Sequence, residues 1–181
     1  MKNSIQFRKY LIVSSTVALC LLAGATVSAQ SQPSRMRLGV YDSRAVAVAY
    51  ANSEEFQESL KATRADYQKA KTDKDQKRMK ELEGRMKLQQ RRMHEQGFST
   101  GSVAGIMARI KDRLPGVADK ARVRAVVSKW ELNYQSPDAE TVDVTDDLVA
   151  LFHVSDKGKE WIKGVRSKPP LPLEEITDDL D

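Results

Sequence analysis

Residues 51–96 constrain the rest of the chain more than any other stretch. They contain no proline and one glycine, Gly84, and are crowded with Lys, Arg, Glu, Gln and Ala, residues that form helices readily. Large apolar residues are few. Phe56, Leu60 and Tyr67 make one group at helical spacing, and Met79, Leu82, Met86 and Met93 make a second. Glu81 and Glu83 stand four residues before Arg85 and Lys87, an arrangement that supports an exposed helix. So thin an apolar stripe cannot form the core of a globule. The stretch is expected to project as an arm from a body made by the other segments.

The two apolar groups are out of phase. A 4-3 repeat started at Phe56 reaches Lys74, Lys77 and Glu81, whereas the second group sits at 79, 82 and 86. Residues 71–77 are polar on every side, and Thr72, Asp73 and Asp75 can each cap a new helix. A helical hairpin with its tip at 72–75 gives two nearly equal legs that pack along their length. The alternative is one continuous helix that turns only at Gly97.

The first 29 of the 181 residues read as a secretory signal peptide: Lys2, Arg8 and Lys9 precede an apolar run from Leu11 to Leu22, and Val27-Ser28-Ala29 offers a small-residue cleavage site. Cleavage there leaves a chain without cysteine, because Cys20 is the only one, and so without disulfide or thiol chemistry. It also removes three positive charges, lowering the formal charge from +5 to +2. The remainder is unevenly spread. Residues 51–113 hold 15 Lys/Arg against 10 Asp/Glu, and residues 135–181 hold 5 against 12, so a basic arm stands on an acidic end and can steer partners towards the arm.

Residues 30–36 are a linker containing Pro33. Residues 37–42 read as a strand, Ser43 as the cap of a small apolar helix over 44–51, and Asn52-Ser53 as the lead into the arm. Two glycines and two capping residues break the pattern at 97–101. Val103, Ile106, Met107, Ile110 and Leu114 then mark a further helix, interrupted by Pro115-Gly116. Val126, Ser128, Trp130, Leu132 and Tyr134 alternate with polar residues as a long strand. After a turn at 136–138, residues 141–144 are expected to be its hairpin partner. Thr145 is expected to cap a last core helix carrying Leu148, Val149, Leu151 and Phe152. Trp161, Ile162 and Val165 lie in an amphipathic segment before the extended run Lys168-Pro169-Pro170-Leu171-Pro172 and an acidic end.

This order resembles the Skp/OmpH family of periplasmic chaperones. The residues that carry the resemblance are Arg37-Leu38-Gly39-Val40-Tyr41-Asp42-Ser43 at the start, and Tyr134, Pro137-Asp138 and Val142-Asp143-Val144-Thr145 within 130–152. It implies a homotrimer whose short strands make a body and whose helical arms enclose a cavity for unfolded outer-membrane proteins, without ATP. The expected fold is therefore α+β and mostly helical, a projecting hairpin arm on a small β-strand body. The expected layout is signal peptide 1–29, linker 30–36, Skp/OmpH-like domain 37–153 and a Pro-containing acidic tail 154–181. The chain departs from the family in its shorter arm, its glycine-rich break and its tail.

Chemistry is sparse. Gly97-Phe98-Ser99-Thr100-Gly101 fits G-x-S-x-G, but a charged helix precedes it where a nucleophile elbow needs a strand, and only His94 and His153 are available as base. Ser99 is expected to be a loop or cap residue, with a serine hydrolase as the remote alternative. The glycine-rich loop lacks the Lys-Ser/Thr of a phosphate-binding loop, and two histidines without cysteine give no zinc set. Asp143, Asp146 and Asp147 read as strand-end and cap residues. Aromatics are not interleaved with the basic run as nucleic-acid stacking requires. The expected function is an ATP-independent periplasmic holdase, not an enzyme, without metal or cofactor. Its partners are unfolded envelope proteins and further copies of itself, with proximity to a membrane surface as a further possibility. Phe56, Leu60, Tyr67, Met79, Leu82, Met86 and Met93, with Arg78, Arg85, Arg91 and Arg92, are the expected client-binding residues; methionine thioethers suit surfaces that accept many partners. Leu38, Val40, Trp130, Leu132 and Tyr134 are expected in the oligomer body. The alternative is a non-catalytic envelope adaptor that docks through its tail.

Overall fold

The computed structural model describes residues 36–176. The expected leader at 1–29 lies outside them, as does the linker before Met36 and the end of the chain after Ile176. Within them the chain is α+β and mostly helical. Strand β1 (Arg37–Tyr41) is followed by α1 (Ser43–Ala51), α2 (Glu54–Thr72), α3 (Gln76–Phe98), α4 (Ala104–Arg109) and α5 (Leu114–Ala121). Then come β2 (Ala125–Ser128), β3 (Glu140–Asp143), α6 (Thr145–Ala150) and α7 (Asp156–Arg166).

The basic stretch does turn at 73–75. Asp73 closes α2, and the Asp75 carboxylate accepts a hydrogen bond from the Arg78 N–H at 2.9 Å to open α3. Lys74 takes the left-handed conformation, φ 55°, that the tight reversal demands. α2 packs against α3, with Leu82 and Ala70 buried, and Tyr67 donates its hydroxyl proton to Glu83 Oε1 at 2.7 Å across the pair. α3 then runs on through Gly97 into Phe98, where its second half packs against α1.

The sheet differs from the expected antiparallel hairpin. Its order is β2-β1-β3 and both pairings are parallel, so β2 and β3 never meet. β2 ends at Ser128, which removes Trp130, Leu132 and Tyr134 from the strand that their alternation suggested. The reason lies in Asp42, just past the end of β1. Its buried carboxylate needs donors, and the chain turns out of β2 to supply Lys129 Nζ at 2.9 Å and Trp130 Nε1 at 3.3 Å. A neighbouring carboxylate therefore overrides a period-2 pattern that a strand of this length cannot enforce alone.

Three local expectations change in the same way. Asp42, not Ser43, caps α1 by accepting from the Arg44 N–H at 3.0 Å. Asp143, not Thr145, accepts the first free N–H of α6, because the Thr145 hydroxyl is occupied accepting from the Asp42 N–H. Pro115 does not interrupt a helix but stands in the first turn of α5, where its missing N–H costs nothing.

The core gathers around α1, whose Ala45, Val46 and Ala49 are fully buried. The small side chains let α3, α6 and α7 approach it closely. Gly158 in α7 has little room for a side chain: a Cβ there would lie 2.3 Å from Cγ1 of Val154, just before the helix, and 3.3 Å from Asn52 at the end of α1. Tyr41, Val126 and Val142 bring one face of the sheet into this core. The other face carries Leu38, Val40 and Val127, all half-buried, between the exposed Ala125 and Thr141.

Candidate functional site

A cleft of about 1250 Å³ opens between the second half of α3, α7 and α1. One wall is a single face of α3: Arg85, Leu88, Gln89, Arg92, Met93 and Gln96 recur at three- and four-residue intervals and so line up along the helix. The opposite wall is α7, with Trp161, Gly164 and Val165, continued by Lys168, Pro169 and Leu171. Ala47, Val48 and Ala51 of α1, with Phe56 of α2, lie between them, and Gly105, Ile106 and Arg109 of α4 add to the lining.

The lining is mainly apolar and partly uncovered. Leu88 is 69% exposed, Trp161 50%, Phe98 43% and Leu171 38%. Isolated surface hydrophobics are ordinary, but four large ones converging on one concavity mark a binding surface. The charged residues around it are mostly of one sign: Arg85, Arg92, Arg109 and Lys168, with the internally paired Arg44, face a single carboxylate, Glu160. Arg85 is held by Glu81 at 2.7 Å, and Arg109 by Glu55 and by the face of Tyr50. The side chains of Arg92 and Lys168 have no hydrogen bond or ion pair among the described residues. His94 lines the cleft beside Phe98, and its Nδ1 is buried without a partner there.

Two clasps hold the α7 wall. Asp42 and Arg44 pair at 2.9 Å with exposures of 1% and 2%, and the other arm of the Arg44 guanidinium donates to the Lys168 carbonyl at 2.9 Å. The Trp130 ring lies 5.0 Å from the same guanidinium. Burial by itself would raise the Asp42 pKa. Hydrogen bonds and charge from Arg44 and Lys129 overcome it and hold the carboxyl down at about 2. The second clasp is at Ser99, fully buried, whose hydroxyl donates to the Leu171 carbonyl at 2.6 Å while the Leu171 N–H donates to the Phe98 carbonyl at 2.8 Å. Ser99 is thus a strap anchor on the extended residue after α3. The strand that a nucleophile elbow requires is absent before it, α3 standing in its place.

The segment after 153 is built into the body rather than trailing from it. α7 packs on α1, and Ile176 is buried. A docking peptide must be free to leave, and residues 156–171 are held at two points.

Of the expected client-binding residues, Phe56, Arg85, Arg92 and Met93 line the cleft. Leu60, Tyr67, Met79 and Met86 are half-buried and Leu82 is buried along the α2–α3 pair, so plain leg-to-leg packing accounts for much of the stripe. Arg78 and Arg91 spend their charge on Glu81, Asp66 and Glu95. The sequence reading missed Leu88, Phe98, Trp161 and Leu171. Leu88 carried a signal, an apolar residue outside the 79/82/86/93 row; the others meet it only through tertiary packing. Leu38 and Val40 lie on the central strand, already hydrogen-bonded on both sides. Trp130 and Leu132 are half-buried and Tyr134 is 77% exposed, all three off any strand.

Among the described residues no group of His, Cys, Asp or Glu is arranged to hold a metal ion, and no helix is long and apolar enough to cross a membrane. Arg166 bridges Asp143 and Asp146 at 3.0 and 2.6 Å, and Lys120 pairs with Asp147, so those carboxylates are neutralised by cations of the chain itself. No protein-family model, curated protein or solved structure matches the chain.

Proposed function

We propose that this chain is an exported, ATP-independent holdase of the Skp/OmpH kind that keeps unfolded envelope proteins from aggregating. The observation that carries the reading is the cleft between α3, α7 and α1. It offers Leu88, Phe98, Trp161 and Leu171 to solvent in one concavity, which is an apolar surface held ready for a partner that exposes apolar segments of its own. Compared with the sequence expectation, client contact moves from the whole length of the arm to its root.

Export rests on the leader at 1–29, and the mature protein is expected to begin near Gln30. Self-association rests on the sheet. Both edges of β1 are satisfied within the chain, which leaves β2 and β3 as edges and the Leu38, Val40 and Val127 face half-covered. A trimer that stacks these half-covered faces would bury them.

The decisive experiment dilutes a denatured outer-membrane protein into buffer with and without the purified protein and follows light scattering. Suppression of scattering at near-equimolar ratio, with no nucleotide present, is the expected result. Undiminished scattering at a several-fold excess of the protein rejects the holdase. Mass spectrometry of the exported chain and solution-mass measurement test its N-terminus and its assembly separately.

A further inference from the structure

The cleft also specifies what kind of segment it takes. We infer that it binds an extended peptide segment of about six residues that carries acidic residues beside its apolar ones, and that Arg92 and Lys168 are the groups that select the acidic ones. This rests on the holdase reading and names its substrate class.

Length comes first. The α3 wall runs from Arg85 to Gly97, a rise of about 18 Å at 1.5 Å per residue. An extended chain covers that distance in about six residues at 3.3 Å each. The cleft is open to solvent, and its lining is largely apolar, with Leu88, Met93, Trp161 and Phe98 among it. An extended segment can therefore lay alternate side chains into it without threading.

Charge comes second. The cations belong to α1, α3, α4 and the strap after α7, whereas one carboxylate, Glu160, opposes them. Cations spread over four elements fit a partner whose negative charges are also spread, which is a peptide bearing several acidic residues rather than a single anionic headgroup. Not all are equally available. Arg85 and Arg109 already hold Glu81 and Glu55, and Arg44 is closed into the Asp42 pair. Arg92 and Lys168 hold no such partner among the described residues, and they sit on opposite walls, one on α3 and one on the strap. A bound segment can meet both without breaking any side-chain contact that they make among the described residues.

The test is fluorescence anisotropy of three labelled peptides that share the same Leu/Phe residues and carry Asp, Lys or Ser beside them. It is run with the purified protein and with the Arg92→Gln/Lys168→Gln double variant. Both substituted side chains are exposed, so the variant should fold, and circular dichroism checks this. The wild type is expected to bind the Asp-flanked peptide about tenfold tighter than the Lys-flanked one at low salt, with the gap closing in high salt. The double variant is expected to bind all three peptides alike, at about the affinity of the Ser-flanked one. Equal wild-type binding of the Asp- and Lys-flanked peptides overturns the inference, and so does a preference that survives in the variant. Binding to phosphatidylglycerol vesicles that depends on the two cations, with no peptide bound, also overturns it by making the ligand a lipid surface. Scattering assays run alongside separate the two levels: a protein that protects denatured client without flank preference remains a holdase and loses only this selectivity, whereas one that neither protects nor binds peptide loses both.

Discussion

The Asp42 carboxylate and the Arg44 guanidinium pair at 2.9 Å with almost no access to solvent, two residues apart in sequence and joining the end of β1 to the wall of the cleft. Asp42 also caps α1, takes a bond from Trp130 and pairs with Lys129, while Arg44 reaches the Lys168 carbonyl. One short segment therefore ties the sheet, the central helix and the C-terminal strap together. Replacing Asp42 by Asn leaves Arg44 buried without its counter-charge, a change that costs about 3–5 kcal/mol. Urea unfolding should show that loss, and the strap should become more open to proteolysis near Lys168.

The same pair sets an acid limit. The Asp42 pKa falls from 3.8 in an ordinary carboxyl to about 2 in the folded chain, so its ionised form is the one that the fold favours. Its contribution is complete above about pH 4 and is lost as the pH falls towards 2, amounting to about 2 kcal/mol. Urea midpoints measured from pH 6 down to pH 2 are expected to fall across that window. In Asp42→Asn this part of the fall should be missing, and an unchanged acid profile in the variant would assign the acid sensitivity to other carboxylates.

Glycines in two helices should respond oppositely to alanine. At Gly158 the new Cβ would overlap Val154 and crowd Asn52, so both must shift at a cost of about 1–3 kcal/mol. At Gly84 nothing lies within 4 Å of the new Cβ, and an exposed helix interior gains about 0.5–1 kcal/mol from the exchange. Thermal melts of the two single variants check both signs.

Ser99→Ala removes the hydroxyl that satisfies the Leu171 carbonyl and should cost about 1–2 kcal/mol, with the strap loosened. Suppression of client aggregation should weaken in step with the strap. Hydrolysis of a panel of ester substrates provides the contrast: a Ser99-dependent esterase activity would restore the hydrolase reading that the buried hydroxyl argues against.

The α3 arginines should separate into two kinds. Arg78, Arg85 and Arg91 are paired with carboxylates of the same helix at 3.0, 2.7 and 3.1 Å, and exposed pairs of this sort add little stability. Replacing these three with Gln should leave the urea midpoint nearly unchanged and client protection nearly intact. Adding Arg92→Gln should weaken protection of acidic clients, most clearly at low salt. Equal protection by the triple and quadruple variants would remove Arg92 from the client surface.

By itself the sequence determined what depends on near neighbours. Helix-forming composition made residues 51–96 helical, and the phase slip between Tyr67 and Met79, with Asp73 and Asp75 as caps, favoured a reversal at 72–75 over one continuous helix, because helix propensity, capping and periodicity act within a turn or two. It determined the burial of α1 in the same way, since a run of Ala and Val between Arg44 and Ala51 has no polar face to offer water. Strand partners were not determined there. β1 pairs with residues some ninety and one hundred positions away, and nothing local distinguishes a parallel partner from a hairpin one. Only the tertiary structure turned the chain at Trp130, because the donor it supplies is needed by Asp42, which period-2 reading cannot see. The cleft belongs to the same class. Leu88, Phe98, Trp161 and Leu171 become one surface only when α3 and α7 close on α1, an approach set by the small side chains of α1 rather than by any motif that spans them.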